Sequence, residues 1–103
     1  MAVIPGIRTE DKEIVIITWT SITTSDTGGP VDISGLDDIT THTVGSGTPQ
    51  YAGSNNNTNF VSIGSAAAAN SLTQIAVHPR YFSISAMTTN TATVILVGKR
   101  RGK

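Results

Sequence analysis

The sequence predicts an all-β protein: a single β-sandwich, jelly-roll or Greek-key-like, built from about eight short strands. Three observations predict it. Thr, Ser, Gly and Asn are abundant, Leu and aromatic residues are scarce, and Ile and Val lead the apolar set; that mix favours strands and turns over helices. Turn chemistry interrupts the chain at short, regular intervals. Between the turns, apolar residues recur with the period of two that belongs to strands.

At 103 residues the chain is one domain. Residues 1–12 read as an extended N-terminal arm, with apolar Met1 to Ile4, a Pro5-Gly6 break and mixed charges, but no strand alternation. The sandwich spans 13–99, and 100–103 form a basic C-terminal tail. Strands are expected near 13–20, 30–34, 40–45, 49–53, 60–64, 71–77, 80–87 and 91–98. Ser25 to Pro30, Ser34-Gly35, Gly45-Ser46-Gly47, Ser54 to Asn59, Gly64-Ser65 and Thr88-Thr89-Asn90 supply the turns. Within the fourth of these, Asn55-Asn56-Asn57 suits a hairpin because Asn tolerates positive φ. Ala66 to Ala69 are too few to nucleate a helix alone, so one turn or a loop is expected there.

Two strands are apolar on both faces. In the first, Ile14 and Ile16 point one way while Val15, Ile17 and Trp19 point the other. In the last, Ala92, Val94 and Leu96 oppose Ile95 and Val97. A small sandwich ordinarily buries one face of each strand and wets the other. Strands without a polar face need cover on both sides, which predicts a second copy or a larger partner. Ile14, Val15, Ile16, Ile17, Trp19, Ile95 and Val97 are the subunit-interface candidates.

Formal net charge is zero, which argues against a general nucleic-acid binder. All seven acidic residues lie at or before Asp38, and four of the seven basic ones are Lys99, Arg100, Arg101 and Lys103. No stretch approaches the roughly 18 apolar residues of a membrane span. The N-terminus lacks the basic-then-apolar layout of a signal peptide, so a cytosolic site of synthesis and no membrane partner are expected. Cysteine is absent, which removes disulfides and thiolate chemistry.

The motifs that could carry chemistry are weak. Asp26-Thr27-Gly28 is the aspartic-protease triplet, and that reaction needs two such aspartates sharing a proton across a dimer. Here Thr23-Thr24-Ser25 precede it and Gly29-Pro30 follow, which describes a solvated turn. His42 and His78 lack metal-ligand spacing, and no serine sits in G-x-S-x-G. Asn56-Asn57-Thr58 is a formal glycosylation sequon that reads as turn residues. No enzyme activity, cofactor or metal is expected.

Several segments in order resemble a family of small tailed-bacteriophage virion proteins. They are Trp19 with the turn Ser25 to Val31, Gly53-Ser54-Asn55 with Asn59-Phe60, Pro79-Arg80-Tyr81, and the final run Val94 to Arg101. The match spans roughly 19–101; Asn56-Asn57 stand where the family has Asp-Gly, and Phe60 where it has Trp. The resemblance implies a head decoration or cement protein, a β-sandwich that binds the capsid surface as a homotrimer and stabilises the shell. Its partners would be the major capsid protein and itself, and its location the virion. The alternative is a tail, fibre or neck component or a glycan-binding virion module. On the capsid reading, Val3, Ile4, Ile7 and Arg8 of the arm and Arg100, Arg101 and Lys103 of the tail are the capsid-contact candidates.

Overall fold

The computed structural model describes residues 2–64, 66–77 and 79–100. Ten strands follow one another with no helix among the described residues. They are β1 (Val3–Ile4), β2 (Ile7–Asp11), β3 (Ile14–Ile22), β4 (Thr27–Asp32), β5 (Leu36–Gly45), β6 (Pro49–Ser54), β7 (Val61–Ser62), β8 (Leu72–Gln74), β9 (Tyr81–Met87) and β10 (Ala92–Arg100). They form two five-stranded sheets, ordered β1-β4-β9-β6-β7 and β2-β3-β10-β5-β8. The last four strands of each sheet interleave in sequence as in a jelly roll. The all-β sandwich is as expected.

The N-terminal segment departs from the expected arm. Val3–Ile4 pair in parallel with β4, and Ile7–Asp11 pair antiparallel with β3. The chain thus crosses from one sheet to the other between these two strands and closes that side of the sandwich. Every residue of β2 is exposed, so the strand is held by backbone ladder bonds and leaves no burial pattern in the sequence. Gly6 marks the crossing: a Cβ there would lie 2.8–2.9 Å from Val31, Ile17 and Trp19.

Alternation along β3 and β10 puts Val15, Ile17, Trp19, Val94 and Leu96 fully inside. They meet Phe82 and Ile84 of β9 and Tyr51 of β6 from the opposite sheet, in one cluster. The Phe82 ring lies 6.0 Å from Trp19 and 5.2 Å from Tyr51, centroid to centroid. Trp19 Nε1 donates to the Gly29 carbonyl at 3.0 Å, so the one polar atom of the largest core side chain is satisfied across the sheets.

This core makes two opposite predictions. Phe82→Ala should cost about 3–5 kcal/mol, because the ring is enclosed by both sheets and the cavity cannot fully collapse. Tyr51→Phe should be neutral or slightly stabilising, because the buried Tyr51 hydroxyl has no partner among the described residues. Urea unfolding of the two variants beside the parent checks both.

Candidate functional site

Directly opposed residues of antiparallel strands share a face, so the register of the β2-β3-β10-β5-β8 sheet lays out its outer surface in rows. One row crosses all five strands: Ile7, Thr18, Ile95, His42 and Leu72. The next is Thr9, Ile16, Val97, Thr40 and Gln74. Neither carries a carboxylate, ammonium or guanidinium. A third row, at one end, holds Asp11, Ile14, Lys99 and Asp37. Ile7 is 58% exposed, Ile14 44% and Leu72 71%, whereas Ile16, Ile95 and Val97 are half-buried by their neighbours in the sheet. The surface is apolar, hydroxyl-bearing and uncharged except at one edge.

The other sheet behaves differently. Its outer rows read Ser62, Ala52 and Ser83, then Asp32, Tyr81 and Ser54. Of these, Ser62 and Asp32 are exposed, Tyr81 is half-buried, and Ala52, Ser54 and Ser83 are buried. Those two rows carry smaller and more polar side chains than the isoleucine-bearing rows of the first sheet, although exposed Val3 lies on the same sheet, at its β1 edge.

The interface candidates divide between the two surfaces. Ile14, Ile16, Ile95 and Val97 lie on the outer face, together with Ile7. Val15, Ile17 and Trp19 are enclosed in the chain's own core and present nothing to a second subunit. Leu72 and Val44 also lie on the outer face and escaped the sequence reading. Leu72 sits in a strand of three residues, too short for alternation to show.

The remaining candidates do not converge. Val3 is 63% exposed on β1, and Ile4 packs against the core. Arg8 donates from Nη1 to the Asp32 carbonyl at 3.2 Å and lies 3.4 Å from a Glu10 carboxylate oxygen. Arg100 forms an ion pair with the same carboxylate, and its backbone N–H donates to Glu13. These guanidiniums tie β2, β10 and the facing sheet together within the chain. Arg101, Lys103 and His78 lie outside the described residues.

Asp26 is a turn residue. Its carboxylate accepts from the Thr23 N–H at 3.1 Å, the Thr23 hydroxyl at 2.8 Å and the Ala2 N–H at 3.3 Å. The Thr23 bonds hold its carboxyl below the ordinary value of 3.8. Asp32 is lowered likewise, chiefly by the Ser34 hydroxyl and N–H. His42 stands between Ile95 and Leu72. No three His, Asp or Glu side chains gather closely enough for a metal ion among the described residues. A shallow groove of about 470 Å³ runs between Gly53–Asn55, Val61–Gly64 and Val77, lined by small polar and aliphatic groups.

Neither family models nor curated proteins match the chain. Among solved structures it is similar to a cupin domain from Bordetella pertussis Tohama I. The two superpose with a TM-score of 0.54 at 15% identity, covering 96% of this chain and 98% of the other. That likeness shows the fold. It also corrects the expected function: a cupin domain, not a phage virion protein, is what the whole chain superposes on. Of the motifs behind the virion resemblance, Ser25-Asp26 and Asn55 lie in turns, Trp19 is in β3, Thr27-Gly28 open β4, Gly53-Ser54 end β6 and Val94 to Arg100 belong to β10, all local features of a β-sandwich. Capsid decoration is withdrawn, and with it the tail, fibre, neck and glycan-module alternatives.

The turn carboxylates fix the acid response. Because their folded-state values are depressed, they stabilise the fold above the ordinary carboxyl value of 3.8, and the contribution is lost as pH falls through the lowered values. Asp26→Asn should therefore flatten the acid side of the stability profile relative to the parent. Thermal melts between neutral pH and about pH 2 check the slope.

Proposed function

We propose that the chain is a non-catalytic assembly module whose working surface is the outer face of the β2-β3-β10-β5-β8 sheet. The carrying observation is the uncharged row Ile7, Thr18, Ile95, His42, Leu72, which spans five strands. Contiguous apolar surface beyond a few hundred Å² is rare on a protein that works alone and marks an association site. The chemistry-bearing side chains support the same reading. Asp26 and Asp32 serve turns, Glu10 holds two arginines, and His42 has aliphatic and hydroxyl neighbours. The space between the sheets is filled by Trp19, Phe82 and Tyr51.

Ile95→Lys tests the surface at its centre. Ile95 is flanked by Thr18 and His42 on the outer face, so lysine can extend into solvent and leave the core intact. Far-UV circular dichroism should match the parent, while binding of an apolar fluorescent dye, or complex formation in its place, should be lost. A folded Ile95→Lys variant indistinguishable from the parent in both measurements would overturn the assignment. Ile17→Asp, one strand position from the same face but pointing inward, should instead unfold the chain by burying an unpaired carboxylate.

A further inference from the structure

We infer that the occupant of this face is a second copy of the same chain, docked sheet to sheet about a two-fold axis, and that protonation of His42 releases it. The inference rests on the reading of the face as the working surface and adds the partner and its control.

Area comes first. Five strands spaced about 4.8 Å apart, with some seven residues each on the long strands, make a face on the order of 500 Å². Two copies would bury about 1,000 Å² or more, which is where specific interfaces begin. A small dimer of this kind belongs at the weak, reversible end of the range.

Charge comes second. A partner with a strongly acidic or basic surface would need countercharges, and the two central rows offer none. Asp11, Lys99 and Asp37 share the row at one end, with both signs present. A two-fold axis lying across the strands keeps that row at the solvent rim of each copy. It also stacks Ile95 and its row against the same row of the other copy. Like surfaces then meet, aliphatic against aliphatic, with hydroxyls between them. A two-fold axis is the commonest way for one surface to complete itself.

His42 is the exception inside the joint. It is exposed in the single chain and faces Ile95 on β10 and Leu72 on β8, with Thr40 and Val44 beside it on its own strand. None of these is titratable. Lys99, Asp37 and Asp11 stand at the charged end, two rows away; the copy brings the same set, and because the row stacks on itself it also sets its own His42 opposite, so protonation would place two like charges together. A neutral imidazole fits between aliphatic side chains, but an imidazolium in a closed joint is a desolvated charge without a counter-ion. Histidine is the side chain whose charge ordinarily changes between about pH 8 and pH 5. Acid should therefore dissolve the dimer.

Sedimentation velocity at about 100 µM, a concentration suited to weak dimers, tests the inference at about pH 8 and pH 5. The parent should sediment as twice its 10.7 kDa mass at the higher pH and weaken at least tenfold in affinity at the lower. Ile95→Lys should be a folded monomer at both. His42→Gln should remain dimeric at both. A parent that stays monomeric at the higher pH overturns the self-association; dye binding that Ile95→Lys abolishes would then leave the face as a surface for another partner. Monomeric parent without such dye binding overturns the assembly reading as well. A dimer that Ile95→Lys does not disrupt places the joint elsewhere, and a dimer indifferent to pH removes His42 from its control; either result defeats the corresponding part of the inference.

Discussion

The seat of Trp19 organises this sandwich. The ring sits on β3 of one sheet, its N–H bonds to the Gly29 carbonyl on β4 of the other, and Phe82 leans against it from β9. Two strands consecutive in sequence are thereby locked into different sheets, which is the step that makes a sandwich out of a meander. The constraint propagates outward. A side chain at Gly6 would strike Trp19, and one at Gly28 would lie 2.8 Å from Ile84. Close-packed interiors leave no slack for either.

Filling the interior so completely has a consequence for the outside. A strand has two faces, and β3 and β10 are central in their sheet, each hydrogen-bonded on both edges. Their inner residues are consumed by the core. Their outer residues, Ile14, Ile16, Ile95 and Val97, have no layer of this chain to lie under. The ends of the chain reinforce the contrast, because Arg8 and Arg100 converge on Glu10 at the closed side and leave the centre of the face uncharged. Such a surface costs solubility unless something covers it, and threonines at alternate positions temper that cost without removing it.

Much of this was legible from alternation alone. The two doubly apolar strands, and the division of Ile14 and Ile16 from Val15, Ile17 and Trp19 onto opposite faces, could be read because burial writes a period of two into long strands; which face turns inward came from the packing. Where burial leaves no pattern, the sequence was silent. β2 is exposed at every residue and β1 has only two, so a stretch that pairs through its backbone looked like a loose arm. β7 has two residues and β8 three, and Leu72 gained its place on the face only through pairing with His42. The virion resemblance failed for a related reason. It rested mostly on turn residues, with a tryptophan-bearing strand and a final β-run, and these report local backbone geometry that unrelated sandwiches share.

Likeness to a cupin domain at 15% identity fixes the layering of the sheets and leaves function to the side chains. In a jelly roll, two places can be specialised without disturbing the fold: the space between the sheets and the solvent side of either sheet. Here the first is occupied largely by an aromatic cluster and aliphatic groups, with the buried hydroxyls of Thr41, Thr43 and Tyr51 among them, so a larger polar site there would have to displace the contacts that hold the sheets together. The outer rows of the β1-β4-β9-β6-β7 sheet that carry Ala52, Ser54, Ser62, Ser83, Asp32 and Tyr81 hold no aliphatic side chain larger than alanine. That leaves the outer face of the other sheet, where exchanging an isoleucine for a threonine or lysine would leave the packed interior untouched. Ile14, Ile16, Ile95 and Val97 stand there at positions where the interior would tolerate a polar side chain. On the proposed reading, burial against a second copy turns their remaining exposure into free energy of association.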